Sequence, residues 1–222
     1  MKRLTLKHWT AGFLPLILFL PTFETNISAN EWTLRQEKGD LKVYTRANAD
    51  SGIKEVRITT LMETSQSGLM AALCDVPAYL DWVYKCSEAR RLETVSEQEF
   101  FYYTKSDFPF PASDRDLIVH SWHWQDNHGV IHSRSSARPD YLPDNKGVVR
   151  IREFNSTWKI SPVGPDKVSI EYEVKTNPGG SLPAWVINLG ITSGPVKTME
   201  SLAAMVKDSR YRNAPVPAYF RH

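Results

Sequence analysis

The chain has 222 residues, 27 basic and 25 acidic side chains and a formal net charge of +2. It therefore lacks the basic stripe that a phosphate backbone selects, and nucleic acid is not an expected partner. Its two cysteines have no histidine at metal-site spacing beside them, so a zinc centre is not expected either.

The first 29 residues read as a secretory leader. Lys2, Arg3 and Lys7 form a positive start, Phe13 to Leu20 is a short apolar core broken by Pro15, and Ile27-Ser28-Ala29 offers a cleavage site. A membrane anchor fits worse, because a spanning helix needs about 20 apolar residues and this run ends by Glu24. Cleavage removes three basic residues and one acidic residue, which leaves an exported chain of balanced charge. In an oxidising compartment Cys74 and Cys86 can pair, and two buried thiols are the other reading; both stay open.

Asn30 to Lys38 has the spacing of a short amphipathic helix stopped by Gly39-Asp40. The period then falls to two. Leu41 to Arg46 and Ile53 to Met62 read as a hairpin around Asp50-Ser51-Gly52. A helix from Ser65 to Cys74 and a second helical turn after Pro77 follow. Strand patterns return at 89–95, 100–105, 115–125, 130–137, 148–160 and 167–176, separated by turn residues such as Asn127-His128-Gly129. The 148–160 segment changes parity, which predicts a bulge near Arg152. Ser181 is the expected cap of a long final helix with Pro183 in its first turn, and Gly190, Gly194 and Pro195 are expected to kink its middle. Residues 208–222, polar and rich in proline, read as a mobile tail.

The predicted order is helix, two strands, two short helices, about six strands and one long helix. It describes an α+β domain over 30–207 with an antiparallel sheet covered on one face. Three segments resemble the START family (steroidogenic acute regulatory protein-related lipid transfer), in its bacterial form. They are Asp75 to Cys86 (DVPAYLDWVYKC), Phe108 to Asp116 (FPFPASDRD) and Asn177 to Asn188 (NPGGSLPAWVIN). The resemblance implies a helix-grip fold, in which a curved antiparallel sheet wraps a long C-terminal helix around an internal apolar tunnel. It also implies reversible binding of a lipid, sterol or similar apolar molecule by a monomer, with transient membrane contact and no cofactor. An enzyme of the wider helix-grip superfamily, cyclase-like or hydrolase-like, is the main alternative, and a docking protein with a collapsed cavity is a third.

The resemblance places the Arg115, Leu117, Val119, Ser121, His123 face of its strand inward, although the opposite face is the more apolar. On that register Tyr102 and His123 form a polar pair at the tunnel's end. Phe108, Phe110, Trp185, Val186 and Leu189 are candidates for lid and wall, with ordinary core packing as the other reading. Arg115, between Asp114 and Asp116, is expected either to touch ligand or to hold its loop through an ion pair. His120, His123, His128 and His132 do not converge as metal ligands do.

Overall fold

The computed structural model describes residues 31–220, so the expected leader lies outside the described residues. The strands are β1 (Thr33–Lys38), β2 (Leu41–Arg46), β3 (Glu55–Met62), β4 (Cys86–Thr94), β5 (Glu99–Ser106), β6 (Arg115–Gln125), β7 (Ile131–Ala137), β8 (Val149–Arg150), β9 (Glu153–Gly164) and β10 (Lys167–Asn177). The helices are α1 (Gln66–Cys74), α2 (Tyr79–Trp82), α3 (Ala184–Gly190), α4 (Ser193–Met205) and α5 (Ser209–Arg212). One sheet runs in the order β1-β2-β3-β10-β9-β7-β6-β5-β4, antiparallel throughout, and β8 joins it in parallel to β6. Chain neighbours β3 and β4 therefore lie well apart in the sheet, and α1 and α2 span the gap between them.

Two-residue alternation sets one face of this sheet against the helices. Val43, Ile58, Phe100, Val119, Ile160 and Ile170 are almost wholly inaccessible on that inner face. From the other side α4 contributes Val196, Met199 and Leu202, followed by Val206, at helical spacing. Burying each such side chain contributes about 1.5–3 kcal/mol, enough to fix the helix on the sheet.

Four expectations change. The segment expected to begin the domain as a helix is strand β1, exposed along its length and paired with β2. Its helical spacing has no apolar surface to meet, so the edge of β2 decides its conformation. Nearby, Trp32 lies 4.4 Å under each of the guanidinium groups of Arg46 and Arg57. The parity change near Arg152 is a break, not a bulge: β8 leaves to pair with β6, and β9 restarts at Glu153. The final helix is two helices, α3 and α4, parted between Gly190 and Ser193; Pro183, not Ser181, occupies the cap position of α3. In the expected tail, α5 buries Tyr211, whose hydroxyl donates to Asp75 Oδ2 at 2.8 Å. Gly68 on α1 admits this contact, since a Cβ there would stand 2.8 Å from the Tyr211 carbonyl oxygen.

On the outer face the loop after β7 closes over Asp116. Arg150 donates to both of its carboxylate oxygens at 2.7 and 3.0 Å, and Asn145 adds a bond of 2.7 Å. The same guanidinium donates to the carbonyls of Pro139, Leu142 and Pro143. Burial pushes the Asp116 carboxyl up, but the bonds from Arg150 and Asn145 outweigh it and hold the group below its ordinary value. Both side chains are out of solvent, so removing one strands a buried charge. Arg150→Met is expected to cost about 3–5 kcal/mol in denaturant unfolding, whereas the double variant Asp116→Leu/Arg150→Met recovers most of that loss.

Candidate functional site

The inner face divides into rows of side chains that run across the strands. One row passes from Tyr172 through Trp158 and Ser133 to His123. The next passes from Val174 through Ser156, Ser135 and Ser121 to Phe100. The first row is aromatic on β10 and β9 and turns polar at Ser133 and His123, whereas the second carries hydroxyls from β9 to β6 between Val174 and Phe100. The Trp158 and Tyr172 rings meet at a tilt of 42° with centroids 4.5 Å apart, and both stay only half-buried. Phe154 beside them is half-buried too, so the helices cover this stretch of wall only in part.

At the far end of the rows His123 is 2% exposed. Its Nε2 lies 3.4 Å from Ser121 Oγ and 3.9 Å from Cys74 Sγ, while Nδ1 has no hydrogen-bond partner among the described residues. Burial, with a further contribution from the Arg91 charge, lowers its pKa to about 4. Burial raises the Cys74 thiol to about 11 against the opposing effect of Arg91. Both are therefore neutral near pH 7, and a protonated thiol is a poor nucleophile. Tyr102 is half-buried on the same face, edge-on to Tyr79 with centroids 5.4 Å apart.

Arg115 belongs to another place. It shares the β6 parity of His123 but lies eight residues away, about 26 Å along an extended strand. The expected ion pair is not formed. Instead Nε and Nη2 donate to the carbonyls of Pro178 and Gly179, each at 3.1 Å, Nη1 donates to Ser113, and the Phe108 ring lies 4.4 Å from Cζ. Gly180 has φ +76°, and a Cβ on it would meet Arg115 Nη2 at 2.9 Å. The Pro-Gly-Gly turn thus carries its glycines where the chain closes on that guanidinium.

The remaining candidates separate by exposure. Val119 is fully buried, and Leu117 and Val186 are half-buried. Phe110, Trp185 and Leu189 are 96%, 67% and 79% exposed, which places them outside the wall. Cys74 and Cys86 are both free thiols; Cys74 faces His123, and Cys86 Sγ lies 3.4 Å from the Glu88 carbonyl oxygen. His120 contacts Glu99 and His132 contacts Asp126, both on the outer face. A separate groove of about 440 Å³ lies between α1, Glu97 and residues 215–219, with no wall from the strands.

Three inner-face residues escaped the sequence reading. Trp158 and Tyr172 lie on strands whose alternation is visible in the sequence, yet neither is among the expected ligand contacts. Arg91 sits in the run Arg90-Arg91, where a register shift between Arg91 and Glu93 hides which arginine turns inward.

A family model described as START domain matches residues 24–211. The chain is 29% identical over 177 residues to an uncharacterized protein of Pseudomonas aeruginosa, covering 80% of this chain and 87% of that one. It is 24% identical over 186 residues to the human phosphatidylcholine transfer protein, covering 80% and 84%. Among solved structures, a fragment of a STAR-related lipid transfer protein from Xanthomonas axonopodis superposes with a TM-score of 0.75 at 29% identity, covering 80% of this chain and 99% of the fragment.

His123 provides a test that needs no ligand. Its folded pKa is below its unfolded value of 6.5, so the unfolded chain binds the proton first. Its contribution is intact above pH 6.5 and is lost as pH falls toward 4, by up to about 3 kcal/mol. Thermal melts of His123→Gln should show a smaller fall in stability between pH 7 and pH 4.5 than the wild type; an equal fall contradicts a buried neutral imidazole.

Proposed function

Because the chain belongs to the START family, we propose that it binds a lipid or similar apolar molecule between the inner face of the sheet and the C-terminal helices, without chemical conversion. The observation that carries this reading is the partly covered wall of Trp158, Tyr172 and Phe154. A helix that packed the whole face would bury them, and a surface of this kind is what an apolar ligand fills. The hydroxyls of Ser121, Ser133 and Ser135 supply the few polar groups that orient such a ligand. The human and bovine relatives named for phosphatidylcholine transfer support the lipid class. The neutral Cys74 and His123 favour binding over catalysis, since neither is poised to move a proton near pH 7.

In this reading transfer begins at a membrane. Trp185 and Leu189 project from α3, a short helix held to the β2–β3 turn by Asn188, and Phe110 projects from the loop beside Arg115. Apolar side chains left in water are suited to lipid contact. The leader-like residues 1–29 support an activity outside the cytoplasm, and one chain is taken as the binding unit.

The test is to expose purified protein to mixed phospholipid and cholesterol vesicles, read the bound mass by native mass spectrometry, and follow delivery of fluorescent lipid to acceptor vesicles. One lipid per chain is expected. Trp185→Ser/Leu189→Ser should keep that stoichiometry and its melting temperature yet transfer about tenfold more slowly. Persistent absence of lipid mass, with no rise in melting temperature on adding vesicles, sinks the binding claim; unchanged transfer by the double variant sinks the membrane-contact claim.

A further inference from the structure

Resting on that binding reading, we propose that Arg91 makes the His123 end of the inner face selective for acidic amphiphiles, lipids whose head carries net negative charge as a carboxylate or a phosphate. Arg91 has the parity of Ala89, which packs against the core, and its Cζ lies 3.8 Å from the centroid of the buried Phe100 ring. Nη2 donates to the Cys74 carbonyl at 2.5 Å, while Nε and Nη1 have no acceptor among the described residues. Its charge bears on His123, Cys74 and Tyr79, which places it at the deep end of the rows.

The inner face of the sheet brings no counter-charge, and Asp75, the acid that bears with Arg91 on Tyr79, is already held by Tyr211 and Arg210. Arg46 and Arg150 are each paired with a carboxylate, Glu55 and Asp116 respectively, and both pairs involve the outer parity of the sheet. Arg91 forms no salt bridge among the described residues, and the inward positions of β2, β3, β5, β6, β7, β9 and β10 carry no Asp or Glu. A guanidinium on an apolar wall offers a forked set of donors that matches a carboxylate or phosphate group, and a charge-assisted bond there is stronger than in water. Beside it stand His123 Nδ1, which has no partner, and the Ser121 and Ser135 hydroxyls, 3.0 Å apart, which can bond the remaining head-group oxygens. A sterol hydroxyl leaves the cation uncompensated. A zwitterionic head brings a second positive charge to a face that has no acid to meet it.

Arg91 also caps the C-terminal end of α1 through the Cys74 carbonyl, so the variants must separate capping from charge. Full-length protein is incubated with vesicles holding equal parts phosphatidylglycerol, phosphatidylcholine, oleate and cholesterol, and bound lipid is identified by native mass spectrometry. Wild-type protein should be enriched about tenfold or more in phosphatidylglycerol, oleate or both over phosphatidylcholine and cholesterol. Enrichment in oleate alone assigns a carboxylate, and in phosphatidylglycerol alone a phosphate. Arg91→Lys should retain most of the enrichment, whereas Arg91→Gln should lose it while still binding lipid. Equal uptake of the neutral and zwitterionic lipids by the wild type, or enrichment intact in Arg91→Gln, overturns the proposal while leaving lipid binding standing. Absence of any bound lipid overturns the binding reading and this inference with it.

Discussion

A ten-stranded sheet with one apolar face must keep that face from water, and here the cover is narrower than the face. Helix α4 reaches the sheet through Val196, Met199 and Leu202, with Val206 just beyond its end, and α1 closes one end by bonding Gln66 to the carbonyls of Gly129 and Ile160. Between these contacts lie Phe154, Trp158 and Tyr172, half-buried, with the Trp158 and Tyr172 rings in tilted contact. The hydrophobic effect that folds the domain therefore leaves part of its inner surface incompletely covered. The break at Gly190 to Ser193 belongs to the same geometry, because α3 turns away from the sheet and exposes Trp185 and Leu189.

Two polar latches hold the open side of this arrangement. Arg115 ties β6 to the Pro-Gly-Gly turn that starts the C-terminal helices, and Asp116, its neighbour of opposite parity, ties β6 through Arg150 to the loop on the outer face. The Ser-Asp-Arg-Asp and Pro-Gly-Gly motifs, distant in sequence, are thus two sides of one contact. Glycine is needed at 179 and 180 because both adopt positive φ and Gly180 faces the guanidinium.

Much of this was legible in the sequence. The strict alternation of Val168, Ile170, Tyr172 and Val174 marked β10 and its inner face, and β6 was bounded residue for residue. What escaped depended on partners distant in the chain. Helical spacing over Asn30 to Lys38 gives way to the open edge of β2, and Arg150 draws β8 out of line because Asp116 needs a buried counter-charge. The candidate site was legible only in halves. Strand parity groups Ser121 with His123, but only the family resemblance turned that face and Tyr102 inward, whereas the inward turn of Arg91 depends on a register shift, and the exposure of Trp185 and Leu189 depends on where α3 points.

Binding, orientation and transfer all depend on where the ligand lies. A crystal structure of the protein carrying a lipid with brominated acyl chains tests it directly, because anomalous scattering locates bromine without reference to the protein model. The expected result is bromine beside Trp158 and Tyr172, between β9, β10 and α4. Bromine in the groove between α1 and residues 215–219, or on the outer face near Trp122, contradicts the account.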